Sequence, residues 1–147
     1  MAYKSALSTY KEIRINTASQ GQLIIMLYSE AVKQLDLALH LLEMNDAKKD
    51  PGRIEKISKA VVKTQEIVSE LMVSLDFEQG GDIAKNLFSL YTWFNRELME
   101  ANISQDGRRI LTVRNLVDEL RNTWQEIVTT NAVETVNREV VGINIAG

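Results

Sequence analysis

The sequence predicts an all-α fold, an antiparallel up-down-up-down four-helix bundle with an N-terminal segment packed on it. Three observations lead there. Apolar residues recur at steps of three and four through four long stretches, the spacing of a helix with one buried face. Breakers are confined to the gaps between them, where Pro51, Gly52, Gly80, Gly81 and Gly107 stand. Connections that short force consecutive helices to lie antiparallel. A chain of 147 residues, 45% hydrophobic and 25% charged, fits one domain with a core of its own. The expected divisions are an N-terminal segment over 1–18, the bundle over 19–131 and a C-terminal tail over 132–147.

The first helix is expected to begin at Ser19, which with Gln22 forms an S-x-x-Q capping box. Ile24, Tyr28, Ala31, Leu35, Ala38 and Leu42 mark one seam, and Leu23, Leu27, Leu37, Leu41 and Met44 a second. A helix apolar on two adjoining faces must touch more than one neighbour. Residues 45–50 read as a loop ending in an N-cap, Asp50, with Pro51 at the first helical position, where its missing N–H is no loss. Ile54, Ile57, Val61, Val68, Leu71 or Met72, and Leu75 line the second helix. Gly80 and Gly81 close the next connection, and Asp82 suits the positive end of a third helix carrying Ile83, Leu87, Leu90, Tyr91, Phe94, Leu98 and Ala101. Ser104 is the expected cap of the fourth helix, whose seam runs Ile110, Val113, Val117, Leu120, Trp124 and Ile127. The ends differ: Tyr3, Leu7, Tyr10, Ile13 and Ile15 make the N-terminal segment too apolar for a solvated tail. Residues after Asn131 suit either an extension of the fourth helix or an extended arm.

Composition and motif spacing exclude several functions. The sequence has no cysteine, so disulfides, thiolate metal sites and cysteine nucleophiles are out. The apolar run Leu23 to Tyr28 is far shorter than the roughly 20 residues that span a bilayer, and no membrane insertion is expected. Net charge is −3 with both signs interspersed, and no basic run is longer than a pair such as Arg108–Arg109, so no nucleic-acid partner is expected. A di-iron bundle enzyme needs Glu-x-x-His, but Leu37 stands three residues before the single histidine, His40. As a phosphotransfer site His40 would have Glu43 one turn away, repelling the incoming phosphoryl group. Asp36, Glu43, Glu55, Glu66 and Glu70 read as a solvated face rather than a paired catalytic set. Neither an enzyme nor a cofactor is expected.

What stands out is apolar surface in excess of one core: two seams on the first helix, and Phe88, Trp93 and Met99 off the main seam of the third. Such a bundle has grooves for another amphipathic segment, which would be gripped by anchors at three- and four-residue spacing. At this point the chain resembles a known family. The blocks are Tyr10; Thr17, Ala18 and Ser19; Leu23 through Tyr28; Leu71 with Ser74, Leu75 and Asp76; and Gly80 with Gly81. They continue with Asn86, Leu87, Leu90 and Tyr91, then Leu98, Ala101, Asn102 and Ile103, and finally Trp124. In order and spacing they are similar to the flagellin-specific export chaperones, the FliS family, across most of residues 3 to 131. Gln20, Gly21 and Gln22 depart from the proline and charge often found there in the family, and the tail beyond Asn131 lies outside the match.

The resemblance implies the same antiparallel bundle and a cytoplasmic chaperone for the disordered C-terminal segment of flagellin. It would prevent premature polymerisation and keep the client competent for flagellar type III export, with export-apparatus components as further partners. Folding on binding suits such a client, since it wraps a large apolar surface at modest net affinity. Carried over, the candidate client-binding or supporting residues are Leu23, Leu27, Tyr28, Leu71, Ser74, Leu75, Asp76, Leu87, Leu90 and Tyr91. Leu71, Leu75, Leu87 and Leu90 read equally well as bundle core, and Asp76 as a helix-end hydrogen-bonding residue. Leu7, Tyr10 and Ile13 would supply a cover over the client groove when it is empty. The alternative reading is a helical adaptor for another amphipathic partner segment.

Overall fold

A computed structural model describes residues 20–44 and 50–146, with side chains over 20–44 and 50–130. These residues form α1 (Gln20–Glu43), α2 (Pro51–Val73), α3 (Phe77–Ser104) and α4 (Gly107–Ala146). Each helix packs on its two ring neighbours, α1 on α2 and α4, and α3 on α2 and α4. Leu42 lies against Gly107 and Asp36 pairs with Arg114 at 2.9 Å, so α4 descends as α1 rises. Ser58 bonds Asn102 and Gln65 bonds the Asn95 carbonyl, which sets α3 against α2 in the same opposed sense. These pairings are consistent with the up-down-up-down order.

The core follows the expected seams. Tyr28, Ala31, Leu35 and Ala38 of α1 are fully enclosed, with Ile57, Val61, Val68 and Leu71 of α2, Phe94, Leu98 and Ala101 of α3, and Ile110, Val113 and Val117 of α4. Leu23 and Leu27, on the second line of α1, are buried too, and α1 touches two neighbours as its two seams require. Leu37 and Met44, further along that line, are exposed. Ala60, Thr64 and Ile67 of α2 are buried as well; the Thr64 hydroxyl is satisfied by donating to the Ala60 carbonyl one turn back.

Helix ends explain most departures from expectation. Asp50 caps α2 as expected, its carboxylate accepting from the Gly52 N–H at 2.9 Å with Pro51 at the first position. The expected cap at Ser19, the segment 1–18 and the loop residues 45–49 lie outside the described residues. α3 begins at Phe77, not at Asp82. Asp76 accepts from the N–H groups of Glu78 and Gln79, both at 3.0 Å, and starts a turn that the two glycines interrupt rather than end. Gly81 sits inside α3 at φ 50 and ψ −126, so the axis kinks there. The kink displaces the first expected seam residue: Ile83 is 71% exposed and Ala84 enters the core instead.

The third connection is also shorter than expected. α3 runs through Ser104, whose hydroxyl donates back to Glu100, and Gln105 stops it in the left-handed conformation, φ 53 and ψ 46. Asp106, not Ser104, then caps α4 by accepting from the Arg108 N–H at 3.0 Å. Ile127, the last expected seam residue of α4, is partly exposed. The tail is helical: α4 continues unbroken to Ala146.

Two substitutions test these ends. Gly81→Ala meets no atom within 4 Å, so its cost is purely conformational, about 1–3 kcal/mol in urea unfolding. Asp76→Ala removes a cap and is expected to cost about 1 kcal/mol, while Asp76→Asn, which caps equally well, retains most of the stability.

Candidate functional site

The candidate residues divide by depth. Leu23, Leu27, Tyr28, Leu71 and Tyr91 are buried in the bundle. Leu75, Leu87 and Leu90 are half-buried, packed against the core from its rim. Ser74 ends α2, its hydroxyl donating to the Leu71 carbonyl at 2.8 Å, and Asp76 caps α3. Leu7, Tyr10 and Ile13 lie outside the described residues.

The deepest of these make a polar contact in an otherwise apolar core. The hydroxyls of Tyr28 on α1 and Tyr91 on α3 are hydrogen-bonded at 2.5 Å across the bundle. A buried hydroxyl left alone is costly, so each partner makes the other tolerable. Burial pushes the Tyr28 hydroxyl well above the ordinary tyrosine value, and the neighbouring Tyr91 pushes it further. Tyr91 is raised by burial as well, with the Tyr28 hydrogen bond acting in the opposite direction.

Around this core, α3 carries two outward rows. The ion pair of Glu97 with Arg109, at 2.7 Å, marks its α4 side. Stepping back from Glu97 in helical register gives Leu90, Leu87 and Ile83 on that side, and stepping on from Arg109 gives Leu116, Leu120 and Ile127 across from them. The row passes from packed to open towards the start of α3. On the α2 side, Asn95 bonds Ser69 at 3.3 Å. Phe88 and Met99 flank Asn95 in that row, 42% and 49% exposed, and Val62 and Val73 of α2 are exposed as well. Phe88 stacks edge-on against Phe77, ring centroids 5.9 Å apart. Of the three off-seam residues singled out from sequence, Phe88 and Met99 are on the surface. Trp93 is half-buried against the core, its ring 5.9 Å from that of Phe94.

Sequence reasoning did not single out Val62 and Val73, 44% and 79% exposed, or Phe77. Val62 and Val73 fall off the α2 seam, and Phe77 was expected in a connection; the pattern that would have moved it into a helix is Asp76 followed three residues later by Gln79, a capping signal. His40 is exposed, and among the described residues no group of three potential metal ligands comes together. No helix among the described residues is long and apolar enough to cross a membrane.

The described residues thus form a helical bundle with apolar rows at its surface and its polar groups gathered at caps and seams. Comparison with known proteins names its family. The family model described as "Flagellar protein FliS" matches residues 3–131. The flagellar secretion chaperone FliS of Salmonella typhimurium is 33% identical over 127 residues, covering 84% of this chain and 90% of the relative. Its counterpart in Bacillus subtilis is 27% identical over 128 residues, covering 87% and 90%. That of Escherichia coli is 30% identical over 115 residues, covering 78% and 80%. The chain belongs to the FliS family, as the resemblance of the sequence blocks implied, and its relatives are chaperones of flagellar secretion.

The tyrosine pair predicts a double-mutant cycle. Tyr28→Phe and Tyr91→Phe each strand a buried hydroxyl and are expected to cost about 1–3 kcal/mol. The double variant loses less than the sum, with a coupling of at least about 0.5 kcal/mol in denaturant melts. Because both folded-state values are raised, the pair's contribution is fully present below the unfolded tyrosine value of about 10. Above it, stability declines as the unfolded chain gives up its protons first, and the double Phe variant declines less steeply in melts across alkaline pH.

Proposed function

We propose that this chain is a cytoplasmic chaperone that binds the disordered C-terminal segment of flagellin, blocks its premature polymerisation and holds it ready for type III export. The observation that carries the reading is the pair of apolar rows on α3, in a chain whose relatives are named flagellar secretion chaperones. Ile83, Leu87 and Leu90 step by four and three, the spacing of a face that receives an amphipathic helix. Phe88 and Met99 offer a second row on the other side of the same helix.

Depth supports a division of roles. Leu87, Leu90 and Leu75, at the rim, contact the client. Leu23, Leu27, Tyr28, Leu71 and Tyr91 hold the floor beneath it, while Ser74 and Asp76 fix the turn that presents Phe77. Leu7, Tyr10 and Ile13 cover the rows when no client is present. Contacts with export-apparatus components would follow once the client is loaded. A disordered client adapts to rows on two sides of one helix because it folds as it binds.

Calorimetric titration with a peptide of roughly forty residues from the C-terminus of the host's flagellin tests the reading. Coupled folding predicts favourable enthalpy, opposing entropy and a negative heat-capacity change. Ile83→Asp and Phe88→Asp, at exposed positions, are expected to leave stability within about 0.5 kcal/mol. Each should weaken the peptide about tenfold or more, or about 1.4 kcal/mol. Binding untouched by either change would remove the rows from the site, and no binding by folded protein would shift the client to another amphipathic segment.

A further inference from the structure

The first turn of α3 is folded back on the helix it begins. Phe77 and Phe88 would share one face of a straight helix, but with about 16 Å between them along its axis. Their rings nevertheless meet edge-on, with centroids 5.9 Å apart. The bend at Gly81 closes that distance. Its φ of 50 and ψ of −126 are open to glycine and strained for a residue with a side chain.

The two glycines show how the turn is laid down and where it can lift. Gly80 lies so close to the helix that a Cβ there would stand 2.8 Å from the Ala84 Cβ. Its N–H donates to the Asp76 carbonyl, also at 2.8 Å, and Asp76 caps Glu78 and Gln79, so residues 76–80 are one hydrogen-bonded unit. Gly81, which joins that unit to the rest of α3, has open space where a Cβ would be, with no atom within 4 Å. Phe77 and Phe88 are both nearly half exposed. Their contact therefore lies on the surface, with room beside it for a ring to swing away.

We propose that Phe77 is a displaceable cover for Phe88, standing in for an apolar side chain of the client while the site is empty. The proposal rests on the reading that the row of Phe88 and Met99 receives the client. Phe88 is at the end of that row nearest the bend, and the ring of Phe77 holds ground that an incoming side chain needs. With the cover down, the empty protein shows less apolar surface to unintended partners. A client binds the fraction of molecules in which the cover is up, and its apparent affinity falls by that fraction. An edge-on aromatic pair favours the closed form by about two- to tenfold.

Fluorine NMR of the full-length chain tests the cover without a client. The chain has three phenylalanines, so labelling with para-fluorophenylalanine gives a simple spectrum, in which Phe88→Leu assigns the Phe88 line. In Phe77→Ala that line is expected to shift and to broaden more with a dissolved nitroxide, and the dye anilinonaphthalene sulfonate to bind more strongly. Phe77→Tyr, which keeps a ring, should match wild type in both. The flagellin peptide is expected to bind Phe77→Ala about two- to tenfold more tightly than wild type. An unmoved Phe88 line or unchanged dye binding in folded Phe77→Ala would overturn the cover. So would a peptide held no more tightly by that variant, weaker binding meaning that the two rings grip the client together. A moved line and stronger dye binding, with no peptide bound by either chain, support the cover and overturn the flagellin reading alone.

Discussion

Two tyrosine hydroxyls buried at the centre of the bundle have to find each other. Tyr28 and Tyr91 are 63 residues apart in the chain and lie on α1 and α3, helices that are not ring neighbours. Their hydrogen bond closes the diagonal. An apolar core tolerates sliding, because burial has no direction, but a hydroxyl pair has one geometry and one level along the axis. With that level set, Leu35 and Leu98, Ala31 and Phe94 fall within the same core, and Trp124 of α4 packs against it. Two diagonal helices are thus indexed to one place, and the outward rows of α3 inherit their position from it.

The two sides of α3 are built differently. Towards α4 the contacts are leucines and a tryptophan, with Glu97 and Arg109 at the rim. Towards α2 the seam is largely polar: Ser58 with Asn102, Gln65 with the Asn95 carbonyl, and Asn95 with Ser69. Polar side chains bond one another across that interface and leave little room there for apolar ones. This is why Val62, Phe88 and Met99 are shouldered outward instead of buried. The surface rows are the complement of the polar seam, two results of one distribution of residues along α2 and α3.

Much of this was legible in the chain. Steps of three and four located four helices, the Asp50–Pro51 start was read to the residue, and the double seam of α1 foretold two neighbours. The order and spacing of blocks such as Asn86, Leu87, Leu90 and Tyr91 pointed to the family. What could not be read depended on backbone conformation or on distant partners. Two adjacent glycines look like a stop, yet Gly81 bends a helix that resumes, because a hydrogen-bonded turn capped by Asp76 precedes it. Periodicity put both tyrosines on inward faces without revealing that they meet. It could not tell rim from floor either: Leu71 and Leu87 have the same spacing in their helices, and only their neighbours separate them.

The ring arrangement bears on how the chain comes off the ribosome. α1 buries one line of residues against α2, which is made next, and the other against α4, which is made last. Between those events the nascent chain holds a finished hairpin with an open apolar flank, and the hydroxyl of Tyr28 awaits an acceptor on α3. Vectorial synthesis therefore leaves the chain briefly with an apolar flank of its own in want of cover, until α4 folds back along the first helix.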